Sequence, residues 1–377
     1  QNLPLQVFTT LPRSRPMSRL LFTPININTL TLPNRFVRSA TNEYMTDEND
    51  SVTDRLASLY EKLARGGVGL IITGHSYVRK DGKASKRQAA IYDDKFIPAY
   101  KRLVERLRPF DTKIMLQITH GGRQTKPEIC DGTPIAPSPI TDKSTGVTPR
   151  EMIHDDILDV INCFGQAARR AKEAGFGGIQ IHAAHGYLLS EFLSPYTNRR
   201  DDEWGGTVKN RARILLEVLK ACRLQTGMDY PIFVKLQTDD CVEGGLGVED
   251  AVETAKMLEK EGIDAIETSG GIAESFPSAC REGIDSPDKE GYFASNAERI
   301  KKAVSVPVIV VGGIRSIGVM ESIIEEKKAD LISMSRPFIR EPDLVNKLKN
   351  GVVTKSECIS CNQCWHPGGI RCAQISQ

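Results

Sequence analysis

The chain has 377 residues, of which 40% are hydrophobic and 26% charged, with a formal net charge of +2. That length buries a large core, and near-balanced charge without a long basic run leaves no electrostatic footprint for nucleic acid. No apolar stretch approaches the roughly 20 residues that a membrane helix needs, so neither nucleic acid nor membrane is expected as a partner.

Residues 1–16 are irregular, carry two arginines and lack the apolar stretch of a signal peptide. They read as an extension ahead of Met17. Short apolar runs then recur at Arg35–Thr41, Val68–Gly74, Lys113–His120, Gly177–Ala184, Pro231–Gln237, Ala265–Gly271, Pro307–Ile314 and Asp330–Pro337. Between them lie helical periods such as Thr53–Arg65, Lys95–Arg108, Ile157–Ala174, Lys209–Thr226, Val248–Glu261 and Ser316–Lys327, with Gly66, Gly175 and Gly262 as stop signals. Eight strands alternating with helices predict an α/β fold, a single-domain (β/α)8 TIM barrel over residues 17–350. A doubly wound sheet is the alternative, but no G-x-G-x-x-G follows the first strand. The Pro-, Thr-, Asp- and Gly-rich segment from Gly121 to Asp155 would be a lid or substrate wall on the catalytic face.

A barrel of this kind keeps its chemistry at the C-terminal ends of its strands. The third strand ends with Gln117 and His120, and the fifth with Lys235. An amide and a cation at that depth suit a polar heterocycle that gains negative charge, and the buried cation needs an anionic partner. The fourth strand runs into His182-Ala183-Ala184-His185-Gly186-Tyr187. If it ends near Ala183 and turns, two imidazoles and a phenol converge, giving N–H donors for an oxygen that gains charge and a nearby proton. Gly312-Gly313 after the seventh strand and Ser335-Arg336 after the eighth occupy the usual phosphate-binding corner. Glycines there admit backbone N–H groups to the phosphate, and the arginine pairs with its charge.

These motifs resemble those of the old yellow enzyme family of flavin-dependent ene-reductases. The matching stretches are Pro33-Asn34-Arg35-Phe36-Val37, Gln117-x-x-His120-x-Gly122-Arg123, the His182 to Leu188 run, Ser194-Pro195-x-x-Asn198-x-Arg200-x-Asp202-x-Trp204-Gly205-Gly206, Gly312-Gly313 and Ser335-Arg336-Pro337. The resemblance implies FMN on the C-terminal face, with NADH or NADPH as reductant and an α,β-unsaturated carbonyl compound as small-molecule substrate. By matching position, Ser39, Ala40 and Thr41 would lie along the flavin and Gly74 beneath it. Gln117 would bond the pyrimidine edge, with Lys235 near N1 and the C2 carbonyl. Gly312, Gly313, Ser335 and Arg336 would hold the phosphate. His182 and His185 would grip the substrate oxygen, and Tyr187 would donate the proton. Lys235 stands where many relatives have arginine, and Asn42 where they often have Thr or Cys.

Nine cysteines divide unevenly. Cys130, Cys163, Cys222, Cys241 and Cys280 are scattered, which with no signal peptide points to a reducing cytoplasm. Cys358, Cys361, Cys364 and Cys372 crowd the segment 351–377, at a spacing that resembles the start of the iron–sulfur segment in the 2,4-dienoyl-CoA reductase branch. A [4Fe–4S] cluster, zinc or free thiols all remain open there, as does a homo-oligomeric state. Two rival functions accompany the leading one. A flavin-free barrel lyase would use Lys235 as a Schiff base, and a flavin electron-transfer module would have no substrate chemistry of its own.

Overall fold

Eight of the short apolar runs form parallel strands because their residues are buried on both faces, inside the barrel and under the helices. The computed structural model describes residues 19–375 apart from Pro367, so the extension 1–16 lies outside the described residues. The strands are β1 (Phe36–Arg38), β2 (Leu70–Ile72), β3 (Lys113–Thr119), β4 (Ile179–Ala183), β5 (Ile232–Gln237), β6 (Ala265–Ser269), β7 (Val308–Val310) and β8 (Leu331–Met334). Each pairs in parallel with its neighbours in chain order, and β8 returns to pair with β1. The sheet is therefore closed, which makes this a (β/α)8 barrel and sets aside the doubly wound alternative. After the strands come α1 (Asp54–Arg65), α2 (Ile97–Leu107), α3 (His154–Glu173), α4 (Val208–Thr226), α5 (Val248–Lys260), α6 (Ala294–Ala303), α7 (Ile317–Glu325) and α8 (Leu344–Lys349). The α6 segment escaped the sequence reading because its Lys, Glu, Asn and Ser leave only Ala297 and Ile300 buried. Among the described residues no helix is long and apolar enough to cross a membrane.

The helix boundaries follow local chemistry. Thr53 caps α1 by accepting from the Leu56 amide, and Thr207 caps α4 by accepting from the Asn210 amide. Gly66 does end α1, but its φ of −73° is ordinary. It is glycine because a Cβ would collide with the Pro342 carbonyl.

Inward-facing Val37, Leu70, Ile72, Met115, Phe233, Ala265, Ile309 and Leu331 fill the lower barrel. Ile27, Leu30 and Leu32 of the hairpin formed by Ile25–Ile27 and Leu30–Leu32 plug its N-terminal mouth. Above this layer the inward residues turn polar, and there the site begins. The 121–155 segment is organised by a helical turn at Pro127–Cys130 and by pairing of Ile135–Ala136 with Arg150–Glu151. Arg123 ties it to the loop after β6 through a buried ion pair with Glu274 at 2.8 Å.

A second buried pair fixes the rim between β1 and β2. Glu43 Oε1 accepts from Arg38 Nη2 at 2.7 Å, Tyr60 OH at 2.7 Å and the Gly74 amide at 3.2 Å. Truncating one partner of such a pair leaves a buried charge unpaired. Glu43→Ala should therefore lower the unfolding free energy by about 3–5 kcal/mol in urea titration. Loss of under about 1 kcal/mol would show that Arg38 finds other partners.

Candidate active site

β4 ends at Ala183 and the chain turns at once, His185 lying in the left-handed region at φ 65° and Gly186 at φ 80°. For a non-glycine residue that conformation is strained. It is held by the His185 amide, which donates to Gln237 Oε1 at 2.9 Å. The turn brings the His182 and His185 rings to 5.3 Å and the His182 and Tyr187 rings to 5.0 Å between centroids. The convergence expected of this motif is present.

A third imidazole joins them. His75, just beyond β2, lies 5.9 Å from the His182 ring and 5.1 Å from the Tyr187 ring. Its tautomer follows from its neighbours. Gln88 Oε1 accepts from the Ala84 amide at 2.7 Å, so Gln88 Nε2 is the edge that meets His75 Nδ1, at 3.4 Å. Nδ1 accepts, and the neutral ring carries its proton on Nε2. Burial, then the nearby Lys235 charge, pulls His75 down to about 4 and His185 down to about 3. Burial, followed by the two other imidazoles and Lys235, puts His182 well below the ordinary histidine range. Burial raises the Tyr187 phenol, with Tyr44 adding to the effect and a bond to Gln124 opposing it. At neutral pH all four rings are uncharged and the phenol keeps its proton.

Beneath them lies a polar layer inside the barrel. Lys235 Nζ donates to Ser39 Oγ at 2.8 Å and sits 3.3 Å from Glu267 Oε1. Glu267 supplies the anionic partner that a buried Lys235 requires, and it also accepts from Ser333, Ser39 and Gln180. Burial pushes the Glu267 carboxyl up, but Lys235 and these three hydrogen bonds outweigh it and hold the group below its ordinary value. The sequence reading missed Glu267, although it shares the inward parity of Lys235 on the adjacent strand, with which it pairs in register.

One cavity of about 560 Å³ opens over this layer, in the size range of cofactor and small-molecule sites. Ser39, Ala40, Thr41, Gln117 and Lys235 line its floor, and His182, His185 and Tyr187 one wall. Gly313, Ser335 and Arg336, expected around a phosphate, line the cavity too, joined by Arg315. His75, Tyr44, Gln124 and Ser144 line it too, the last two from the long loop after β3. Gly74 and Gly312 are not among the residues that line the cavity. Gly74 turns its amide to Glu43 and Tyr60, and a Cβ there would collide with the Glu43 carboxylate, so its smallness serves packing below the rim. Gly312 accepts from Gly291 and Tyr292 through its carbonyl and does not line the cavity.

The terminal cysteines do not make a metal centre here. Among the described residues no group of three or more His, Cys, Asp or Glu is placed to hold a metal ion. All four thiols are free, with Cys358 and Cys364 buried. Burial, then the neighbouring Cys358, Cys372 and Cys361, pushes the Cys364 thiol up to about 12. The segment borders the cavity, where Asn362 Oδ1 accepts from Arg336 Nη1 at 2.6 Å.

Comparison with known proteins agrees with this geometry. The family model for NADH:flavin oxidoreductases and NADH oxidases matches residues 20–355. The chain belongs to that family. It is 37% identical over 332 residues to an NADPH dehydrogenase of Bacillus subtilis, covering 86% of this chain and 93% of that protein. It is 40% identical over 345 residues to an NADH oxidase of Thermoanaerobacter brockii, covering 91% of this chain but 52% of that protein, so the chain spans about half the length of that relative. A 2-naphthoyl-CoA reductase solved with 2-naphthoyl-CoA superposes with a TM-score of 0.87 at 30% identity, over 92% of this chain and 55% of that one. The family is one of flavin oxidoreductases, so the group to set against this cavity is FMN, as the resemblance to the old yellow enzymes implied. Its residues fit that group, since His182 Nδ1 is buried without a partner, Lys235 has an uncommitted N–H, and Arg315 Nε is buried and unpaired.

The depressed histidines carry a consequence for stability. An unfolded histidine titrates near 6.5 and folded His75 near 4, so between those values the unfolded chain binds the extra proton and stability falls as pH falls. The urea midpoint should drop from pH 7 to pH 4.5, and His75→Gln should make that drop smaller. An unchanged drop in the variant would show that His75 is not desolvated.

Proposed function

We propose that the chain reduces the activated C=C bond of α,β-unsaturated carbonyl compounds, with NAD(P)H as the reductant. The observation that carries this is the wall of uncharged donors. His75, His182, His185 and protonated Tyr187 face one cavity directly above the Lys235 floor. A flavin site that only relayed electrons would need no such donors, and this argues against the electron-transfer reading. Lys235 is engaged by Glu267 and Ser39, which argues against a Schiff-base lyase.

Gly313, Ser335 and Arg336 would hold the FMN phosphate, with Gly312 shaping the turn behind them. Ser39, Ala40 and Thr41 would lie along the ring system, and Gln117 and Lys235 at its pyrimidine edge. Bound FMN supplies the hydride chemistry. Ring N–H groups of His182 and His185 would hold the substrate carbonyl oxygen, draining electron density from the β-carbon. Neutral imidazoles serve here, because preorganised donors in a dry site stabilise developing negative charge. Tyr187, whose ring lies beside that of His182, would protonate the α-carbon, and the Arg123–Glu274 pair would hold the loops around the substrate.

The FMN-loaded protein, reduced anaerobically with NADH or NADPH, should be reoxidised by cyclohexenone. His182→Ala with His185→Ala should keep the flavin while lowering kcat/KM for the enone by about 10²–10³-fold, the usual cost of an oxyanion donor. Unchanged enone reduction in that variant would remove these histidines from the reaction.

A further inference from the structure

Within the barrel, Lys235 and Glu267 are 2% and 0% exposed, so neither charge is relieved by water. Their partners form one directed network. Ser39 has a single hydroxyl proton, so it accepts from Lys235 Nζ at 2.8 Å and donates to Glu267 Oε1 at 2.7 Å. Ser333 donates to the same oxygen at 2.7 Å. An ionised carboxylate only accepts. Gln180 must therefore turn its NH₂ toward Glu267 Oε2, at 2.8 Å. That leaves Gln180 Oε1 facing Gln117, which must in turn donate its NH₂, at 2.7 Å. Gln117 is left with its carbonyl oxygen and one N–H for the cavity it lines.

Two properties of the cavity floor thus trace to one carboxylate. The first is charge. The third N–H of Lys235 faces the site, but Glu267 at 3.3 Å offsets the positive field behind it. The second is direction. A flavin pyrimidine offers an N–H between two carbonyls, and the free C=O and N–H of Gln117 match that pattern only in the orientation the chain of amides imposes.

Resting on FMN occupying this cavity as proposed above, we propose that Glu267 is a positioning residue for the cofactor's pyrimidine edge. It neutralises Lys235 and, through Gln180, orients Gln117. The floor then presents a dipole rather than a bare cation, and reduced, anionic FMN is stabilised less than an unpaired lysine would achieve. The bound flavin is correspondingly the stronger hydride donor.

The test reads the flavin without any enone. The ratio of affinities for reduced over oxidised FMN is obtained from the anaerobic midpoint potential of holoprotein relative to free FMN. Glu267→Gln, leaving Lys235 unpaired, should raise that ratio at least tenfold, an upward shift of about 30 mV for a two-electron couple. The double variant Lys235→Gln with Glu267→Gln removes both charges, and should stay within about threefold of the parent. If Lys235 instead acts as a bare cation and Glu267 is a bystander, the single variant leaves the ratio unchanged and the double lowers it at least tenfold. Either of those two results overturns the proposal, and if Glu267→Gln does not fold the double variant decides alone. A parent protein that takes up no FMN would instead fail the functional reading above.

Discussion

The buried pairing of Lys235 with Glu267 is the constraint on which the active end of this barrel depends. Inward side chains below it are apolar and need only fill space, whereas those above it must satisfy one another or a ligand. A cation enclosed at that depth is tolerable only with a partner and a full set of hydrogen bonds. The barrel meets that requirement by drawing Gln180, Glu267 and Ser333 from three strands, and Ser39 from just beyond a fourth, onto one level. Closure of the sheet is what makes this feasible. Residues far apart in the chain meet because inward parity repeats around eight strands.

The wall of the site depends on that floor in turn. His185 holds a left-handed conformation because Gln237, one strand over, accepts its amide. Gln88 fixes the proton of His75 on Nε2, and burial keeps all three imidazoles neutral. Donors positioned by strand ends and locked by buried partners need little reorganisation when charge develops before them. The long loop after β3 adds Gln124 and Ser144, held in place by Arg123 and Glu274.

At the opposite end of the cavity, the C-terminal segment has a structural part. Ser360, Asn362 and Trp365 line the cavity beside Arg336, and Asn362 bonds both Arg336 and the Cys280 carbonyl. The cysteines that drew attention by their spacing are carried on that segment. Cys358 and Cys364 are buried there, and among the described residues the four thiols form no group placed to hold a metal ion.

The sequence by itself determined the architecture and much of the site. Eight apolar runs separated by helical periods admit few folds, since apolar strands of that length must be covered on both sides. The His-Ala-Ala-His-Gly-Tyr turn was legible because Gly186 and the end of an apolar run mark where a strand must stop. A partner for Lys235 was demanded by the cost of burying a lone charge. Which residue answers that demand was decided only by the tertiary structure. Glu267 lies on another strand, and register, not sequence distance, sets it beside Lys235. The same holds for His75, which enters the pocket because β2 neighbours β3 and β3 neighbours β4. It holds also for Gly74 and the terminal cysteines, whose roles depend on packing neighbours that no local pattern records. Local pattern encodes periodicity and strand ends, while pairing across the barrel emerges only when the sheet closes.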